Sequence, residues 1–376
     1  MSFRKQLATV LFIALIASSL LSGALINPAR AQQGPAGQDK SRPRRSGEQP
    51  PQTTPTPKPS PSKDEGVTLQ DDEVVRVETD LTNILFSAVD KQKRFITTLK
   101  QEDIRVIEDG QPQEIFTFAR QTDLPLSLAI LIDTSLSEER TLPIEKSAAA
   151  SFVDAVIRSE KDEAAVISFT GEATLELNLT GNASRIRRAL DRVEYVPPSG
   201  YIATGTPPIS GQNPTNQGGT SIWDAIWVTA DEILSQTSDK TRRAIILLTD
   251  GYDTTSRKKM DDALDRAIKS DAIIYSIGIG DEYVSGINKG TLRRVSERTG
   301  GRAFFPEDES ELRAVFAQIQ LELRSQYLVA YSPTNKNRDG SFRRVQIEIS
   351  DPELRKQNLK MTYRQGYFAK GTTSGK

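Results

Sequence analysis

Three short strings place oxygen-bearing side chains at spacings that could hold a metal ion. Asp133-Thr134-Ser135-Leu136-Ser137 sets one carboxylate and two hydroxyls at alternate positions. Gly218-Gly219-Thr220 adds a third hydroxyl, and Thr249-Asp250-Gly251 adds a second carboxylate. The chain of 376 residues has no cysteine and no histidine. That excludes disulfide frameworks, Cys or His zinc sites, thiol nucleophiles and every Ser-His-Asp triad. An ion here must be held by oxygen alone, which favours Mg²⁺ and admits Mn²⁺ or Ca²⁺. Singly, each string has a plainer reading, Asp133 as a helix cap and Asp250-Gly251 as an ordinary turn.

The elements expected around these strings bring them to one edge of a sheet. Residues 126–132, apolar but for Ser127, and 244–248 are runs that end at Asp133 and Thr249, and 164–169 and 272–277 are expected as two more strands. Ile144, Ala148, Phe152 and Val156 recur every fourth residue after the first run, which predicts a helix. Further helices are expected over 186–193, 221–236, 289–299 and 308–324, with a short strand at 303–305 and an antiparallel edge strand at 173–179. Fully apolar strands alternating with helices predict an α/β fold, a doubly wound, mostly parallel sheet. In such sheets the carboxyl ends of the strands border the ligand crevice. Two strings follow strands and one opens a helix, so all three fall at that edge.

In this order and these slots, Asp133, Ser135, Ser137, Thr220 and Asp250 resemble the metal-ion-dependent adhesion site of von Willebrand factor type A (vWA) domains. The resemblance covers roughly residues 125–324. Thr-Asp-Gly-Tyr-Asp-Thr at 249–254, Gly-Gly-Thr-Ser-Ile-Trp-Asp-Ala-Ile at 218–226 and Glu-Asp-Gly-Gln-Pro-Gln at 108–113 are similar to the bacterial exported VWFA-related family. The resemblance implies a Rossmann-like vWA fold in which Ser135 and Ser137 bind the ion directly. It implies that Thr220 binds directly or through water, and that Asp133 and Asp250 act mainly through water or from behind. Neutral hydroxyls leave Mg²⁺ electron-poor, so an Asp or Glu of a protein partner can fill the open position. Leu136 departs from the pattern, where a small residue is usual, but removes no ligand. The long stretch 195–218 ends beside Thr220, and Tyr201, Thr204 and Asn216 on it, with Tyr252, are the expected rim for that partner.

The catalytic alternative finds little support. A haloacid-dehalogenase-type phosphotransferase also starts with an Asp after a strand, but needs an acid where this chain has Ser135. No base is paired with a nucleophile, and no G-x-x-x-x-G-K-[ST] loop is present. The expectation is a binding module and not an enzyme. A structural cell-envelope protein with a vestigial metal site is the rival reading, and a metal-dependent hydrolase or phosphotransferase is the third.

Outside the vWA segment, assigned to 123–325, the chain divides by composition. Residues 1–31 read as a signal peptide: Arg4 and Lys5, an uncharged run over 7–26, then Ala29-Arg30-Ala31. Its cleavage would move the net charge from −1 to −4, since three basic residues and no acid are lost. No stable transmembrane segment would remain, and the product would act in the periplasm or at the cell surface. An uncleaved anchor is the alternative. Residues 32–65 hold eight of the 20 prolines and one aliphatic residue, Ala36, and read as a disordered linker. Residues 66–122 and 326–370 alternate in the manner of strands and are expected to form one small antiparallel β-sandwich around the insert, or two separate units. Residues 371–376 read as a tail. Lys plus Arg (49) nearly balance Asp plus Glu (50), so bulk charge gives no reason to expect nucleic acid as a partner.

Overall fold

Strand β5 (Leu126–Asp133) is buried at all eight positions. Burial on both faces requires a layer on each side. Leu126, Leu128, Ile130 and Ile132 point into one apolar layer, and Ala129 and Leu131 into the other. The period of two assigns alternate residues to opposite faces, and each fully buried Leu or Ile contributes about 1.5–3 kcal/mol. The computed structural model describes residues 81–121, 123–195, 219–280 and 286–371. The expected signal peptide and linker, residues 66–80, and Tyr201, Thr204 and Asn216 lie outside the described residues. No helix among the described residues is long and apolar enough to cross a membrane.

The central sheet also contains β6 (Glu163–Phe169), β7 (Ala173–Thr180), β8 (Arg242–Thr249), β9 (Ala272–Gly278) and β10 (Ala303–Phe304). Their order is β10-β9-β8-β5-β6-β7, parallel throughout except for β7, which returns antiparallel along β6. The chain runs from β5 to β6 on one side and later returns to β8 on the other. The strand order therefore reverses between β5 and β8, and their carboxyl ends flank the crevice. Helices α1 (Leu142–Val156), α2 (Ala183–Arg192) and α6 (Glu309–Leu323) cover one face. Helices α3 (Ile222–Val228), α4 (Met260–Lys269) and α5 (Lys289–Thr299) cover the other. The sequence reading gave no helix at α4. The single helix expected over 221–236 is α3 continued by a π turn and a 3₁₀ turn.

Two antiparallel sheets mix strands from before and after this unit. One has the order β13-β1-β11-β4, from β1 (Thr82–Val89), β4 (Ile115–Arg120), β11 (Tyr327–Tyr331) and β13 (Lys360–Tyr363). The other has the order β14-β12-β2-β3, from β2 (Ile104–Glu108), β3 (Gln111–Gln113), β12 (Phe342–Ile349) and β14 (Gly366–Phe368). They share a core of Ile84, Phe86, Val106, Tyr327, Val329, Tyr331, Val345 and Ile347. The turn at Asp109-Gly110 joins β2 to β3, and β4 crosses to the first sheet beside β11. Inside the sandwich, Glu108 accepts hydrogen bonds from Tyr331 Oη (2.8 Å), Tyr367 Oη (2.9 Å) and Arg343 Nη1 (3.4 Å).

The α/β unit is seated on the sandwich by polar contacts on the side of the sheet where β5 and β8 begin. Arg242 of β8 donates to the carbonyls of Leu323 and Leu124. Arg364 pairs with Asp271 and donates to Asn83 O (2.6 Å). Ser87 donates to Glu322 Oε1 (2.9 Å), whose other side faces Arg302 (3.5 Å). Buried charges are tolerated when paired in this way.

Candidate metal centre

Asp133 is the last residue of β5 and is fully buried. Its Oδ1 accepts from the Ser135 amide (2.9 Å), which curls the chain so that the Ser135 and Ser137 hydroxyls lie 3.2 Å apart. Its Oδ2 accepts from Thr249 Oγ1 (2.6 Å) at the end of β8, bridging the first loop to the third across the two central strands. Thr134 ties the same loop to β6 through the Phe169 carbonyl (2.8 Å).

The second and third loops are locked together by main chain. Thr220 O accepts from the Thr254 and Thr255 amides (2.9 and 3.1 Å), and Thr220 N donates to Thr254 Oγ1 (2.8 Å). A Cβ on Gly219 would stand 2.2 Å from Thr255 Cγ2, so this approach requires glycine. Asp250 is buried, accepts from the Tyr252 amide (3.0 Å), and its carbonyl accepts from Asn288 N (2.8 Å). Gly251 follows at φ +85°, a left-handed conformation that favours glycine, packed against Leu292.

The sequence reading missed Glu138. It is 1% exposed, and its carboxylate joins those of Asp133 and Asp250 in a group whose ligand atoms all lie within 4.8 Å of one another. Thr141 donates to its Oε2 (2.7 Å), while Oε1 receives no hydrogen bond among the described residues. Glu145, on the first turn of α1, is also fully buried. Burial raises Asp133 to about 6, opposed by the hydrogen bonds from Thr249 and Ser135. Burial also raises Glu138 and Glu145, and the like charges of Glu145, Asp133 and Asp250 push Glu138 further up. In sequence, Ser-Glu-Glu-Arg at 137–140 looks like a solvated turn, so no local signal marks Glu138. Thr249 could have been found, as a hydroxyl ending an apolar run.

Asp133, Ser135, Ser137 and Asp250 therefore sit around the carboxyl ends of β5 and β8, with the Thr220 backbone fastened to the third loop. Tyr252 (41% exposed) and Leu136 (49% exposed) stand at the surface beside them. Oxygen-only donors, paired hydroxyls and a buried carboxylate oxygen without a donor are what a hard divalent cation would satisfy.

No curated protein matches the chain. Among solved structures, proximal thread matrix protein 1 from the mussel byssus is 19% identical (TM-score 0.43), covering 58% of this chain and 51% of its own. Another structure of that protein is described as having a zinc-occupied MIDAS motif (19%, TM-score 0.44, 58% and 50%). A von Willebrand factor type A protein from Catenulispora acidiphila is 15% identical (TM-score 0.43), covering 80% of this chain and 76% of its own. The chain spans about half the length of the mussel protein. Two family models, both for the von Willebrand factor type A domain, match residues 128–252 and 209–318. These matches run from β5 into α6 and contain every loop of the candidate centre. The chain is a von Willebrand factor type A domain protein.

Proposed function

We propose that this chain is an exported, metal-dependent protein-binding module. Ser135, Ser137 and Thr220 supply hydroxyls, and Asp133 and Asp250 carboxylates, to one divalent cation, with Mg²⁺ favoured by the donor chemistry. The bound cation supplies an electrophilic position for an Asp or Glu of a protein partner. The observation that carries this reading is the buried grouping of the Asp133 and Asp250 carboxylates, with the paired Ser135 and Ser137 hydroxyls on the loop that Asp133 opens, where strand order reverses. Domains of this type are generally interaction modules. The absence from the sequence of a nucleophile paired with a base supports binding without catalysis. The Arg4–Ala31 pattern supports export and action in the periplasm or at the cell surface. Tyr252, beside Asp250, and the stretch holding Tyr201, Thr204 and Asn216 would form the partner's rim.

Calorimetry on the purified chain should show about one Mg²⁺ or Mn²⁺ per chain, lost in Asp133→Ala. A partner captured from the native envelope should be released by chelator. Loss of the charge-assisted contact, worth roughly 1.5–3 kcal/mol, should weaken it about ten- to a hundredfold or more. Undiminished ion binding by Asp133→Ala would remove the metal assignment. An ion site whose loss leaves partner binding unchanged would favour a structural envelope role.

A further inference from the structure

The five residues of the proposed site leave Glu138 unexplained. A glutamate at 1% exposure is costly to bury, and chains tolerate it when protein donors or a cation serve the carboxylate. Its neighbour Glu145 is another buried acid, able to share a proton with it, and the one hydroxyl that serves it is that of Thr141, which holds Oε2 at 2.7 Å. That bond fixes the side chain and leaves Oε1 buried without a hydrogen bond among the described residues. The carboxylate shares a buried space within 4.8 Å with those of Asp133 and Asp250. A Cβ placed on Gly280, two residues beyond β9, would lie 3.0 Å from Asp250 Cβ, a tight approach, and 3.7 Å from Glu138 Oε1, so the chain passes close to both acids there.

We infer that Glu138 is a further ligand of the ion in this chain, a third carboxylate reaching it from the buried side. The inference rests on the metal-binding reading above and extends it. Two carboxylates with neutral hydroxyls balance a dication. A third adds negative charge, and affinity for hard cations rises with the number of charged ligands. The ion then becomes resident: it stays with the free chain and does not arrive with the partner. Because Glu138 comes from the interior, the outward position remains available to a partner's carboxylate.

The test is Mn²⁺ binding to the purified, chelator-stripped chain by calorimetry, with thermal unfolding as a second readout. Glu138→Gln keeps the shape and removes the charge, and should weaken Mn²⁺ about ten- to a hundredfold and shrink the upward shift in melting temperature that Mn²⁺ produces. Glu138→Asp, which withdraws the charge by one methylene, should show a smaller loss and provides the test if the glutamine variant does not fold. Glu145→Gln removes a neighbouring buried acid outside the 4.8 Å group and should change Mn²⁺ affinity less than Glu138→Gln. Affinity within twofold of the parent in both Glu138 variants, while Ser137→Ala loses the ion, would overturn the role of Glu138 and leave the metal site standing. A parent chain that binds no Mn²⁺ would overturn both.

Discussion

Glu108 in the sandwich and Glu138 at the edge of the parallel sheet are equally hidden, at 2% and 1% exposure, and differently served. Glu108 has two tyrosine hydroxyls and the Arg343 guanidinium as donors. Glu138 has one threonine hydroxyl, and the charges that act on it are those of Glu145, Asp133 and Asp250, all of its own sign. In the first, both oxygens of the acid receive donors from protein. The second is an acid with one hydroxyl donor and acidic neighbours, Glu145 among them within hydrogen-bonding reach. Burial alone does not separate a structural acid from a functional one; the identity of its donors does.

That contrast can be broken most forcefully at Glu108. Glu108→Ala takes the acceptor from two tyrosine hydroxyls and the counter-charge from Arg343, itself 3% exposed, which keeps the Asn335 and Asn337 carbonyls. Removing one member of such a buried pair should cost about 3–5 kcal/mol. Urea unfolding should show this loss equally with and without Mn²⁺; a loss that Mn²⁺ repairs would mean the two regions are not independent.

The acid-only cluster should respond to pH in the opposite sense to ordinary salt-bridged carboxylates. The folded chain holds a proton on Asp133 up to about pH 6, whereas the unfolded chain releases it near 3.8. Stability from that proton is complete below the unfolded value and is lost as pH rises through about 6. Metal-free protein should thus be roughly 1–2 kcal/mol less stable at pH 7.5 than at pH 5 from this group, with Glu145 acting in the same direction. Denaturant midpoints at the two pH values check it. Mn²⁺ should close the gap at pH 7.5, because metal ligands bind in their deprotonated form.

The smallest expected effect sharpens the comparison. In metal-free protein Glu138→Gln should change stability by less than about 1 kcal/mol, since the amide resembles the protonated acid that burial favours. A loss as large as that of Glu108→Ala would make Glu138 a structural acid after all.

Much of this arrangement was legible in the sequence, for a physical reason. Strands β5, β8 and β9 are buried on both faces and so appear as mainly apolar runs, and the loops bearing Asp133 and Asp250 follow two of them directly. Helix α4 was missed because Asp261, Asp262, Asp265, Arg266 and Lys269 surround the few residues it buries, Ala263, Leu264, Ala267 and Ile268. Strands β3 and β14, three residues each, are too short to show a period. Glu138 was illegible because its burial comes from α1 and the ends of β5 and β8 closing around it.

The pairing of Arg120 in β4 with Tyr327 in β11 has a kinetic consequence. The whole α/β segment lies between these neighbours, so in an unfolded chain their meeting carries the entropy of closing a very long loop. The folded insert removes that cost, because β5 starts just after β4 and α6 ends just before β11. Folding should therefore be ordered, with the parallel sheet first and the sandwich closing on it. Until then β1 and β4 have open edges, and no cysteine is available to hold them. The interval in which this chain can mispair with another copy is set by the folding time of its inserted domain.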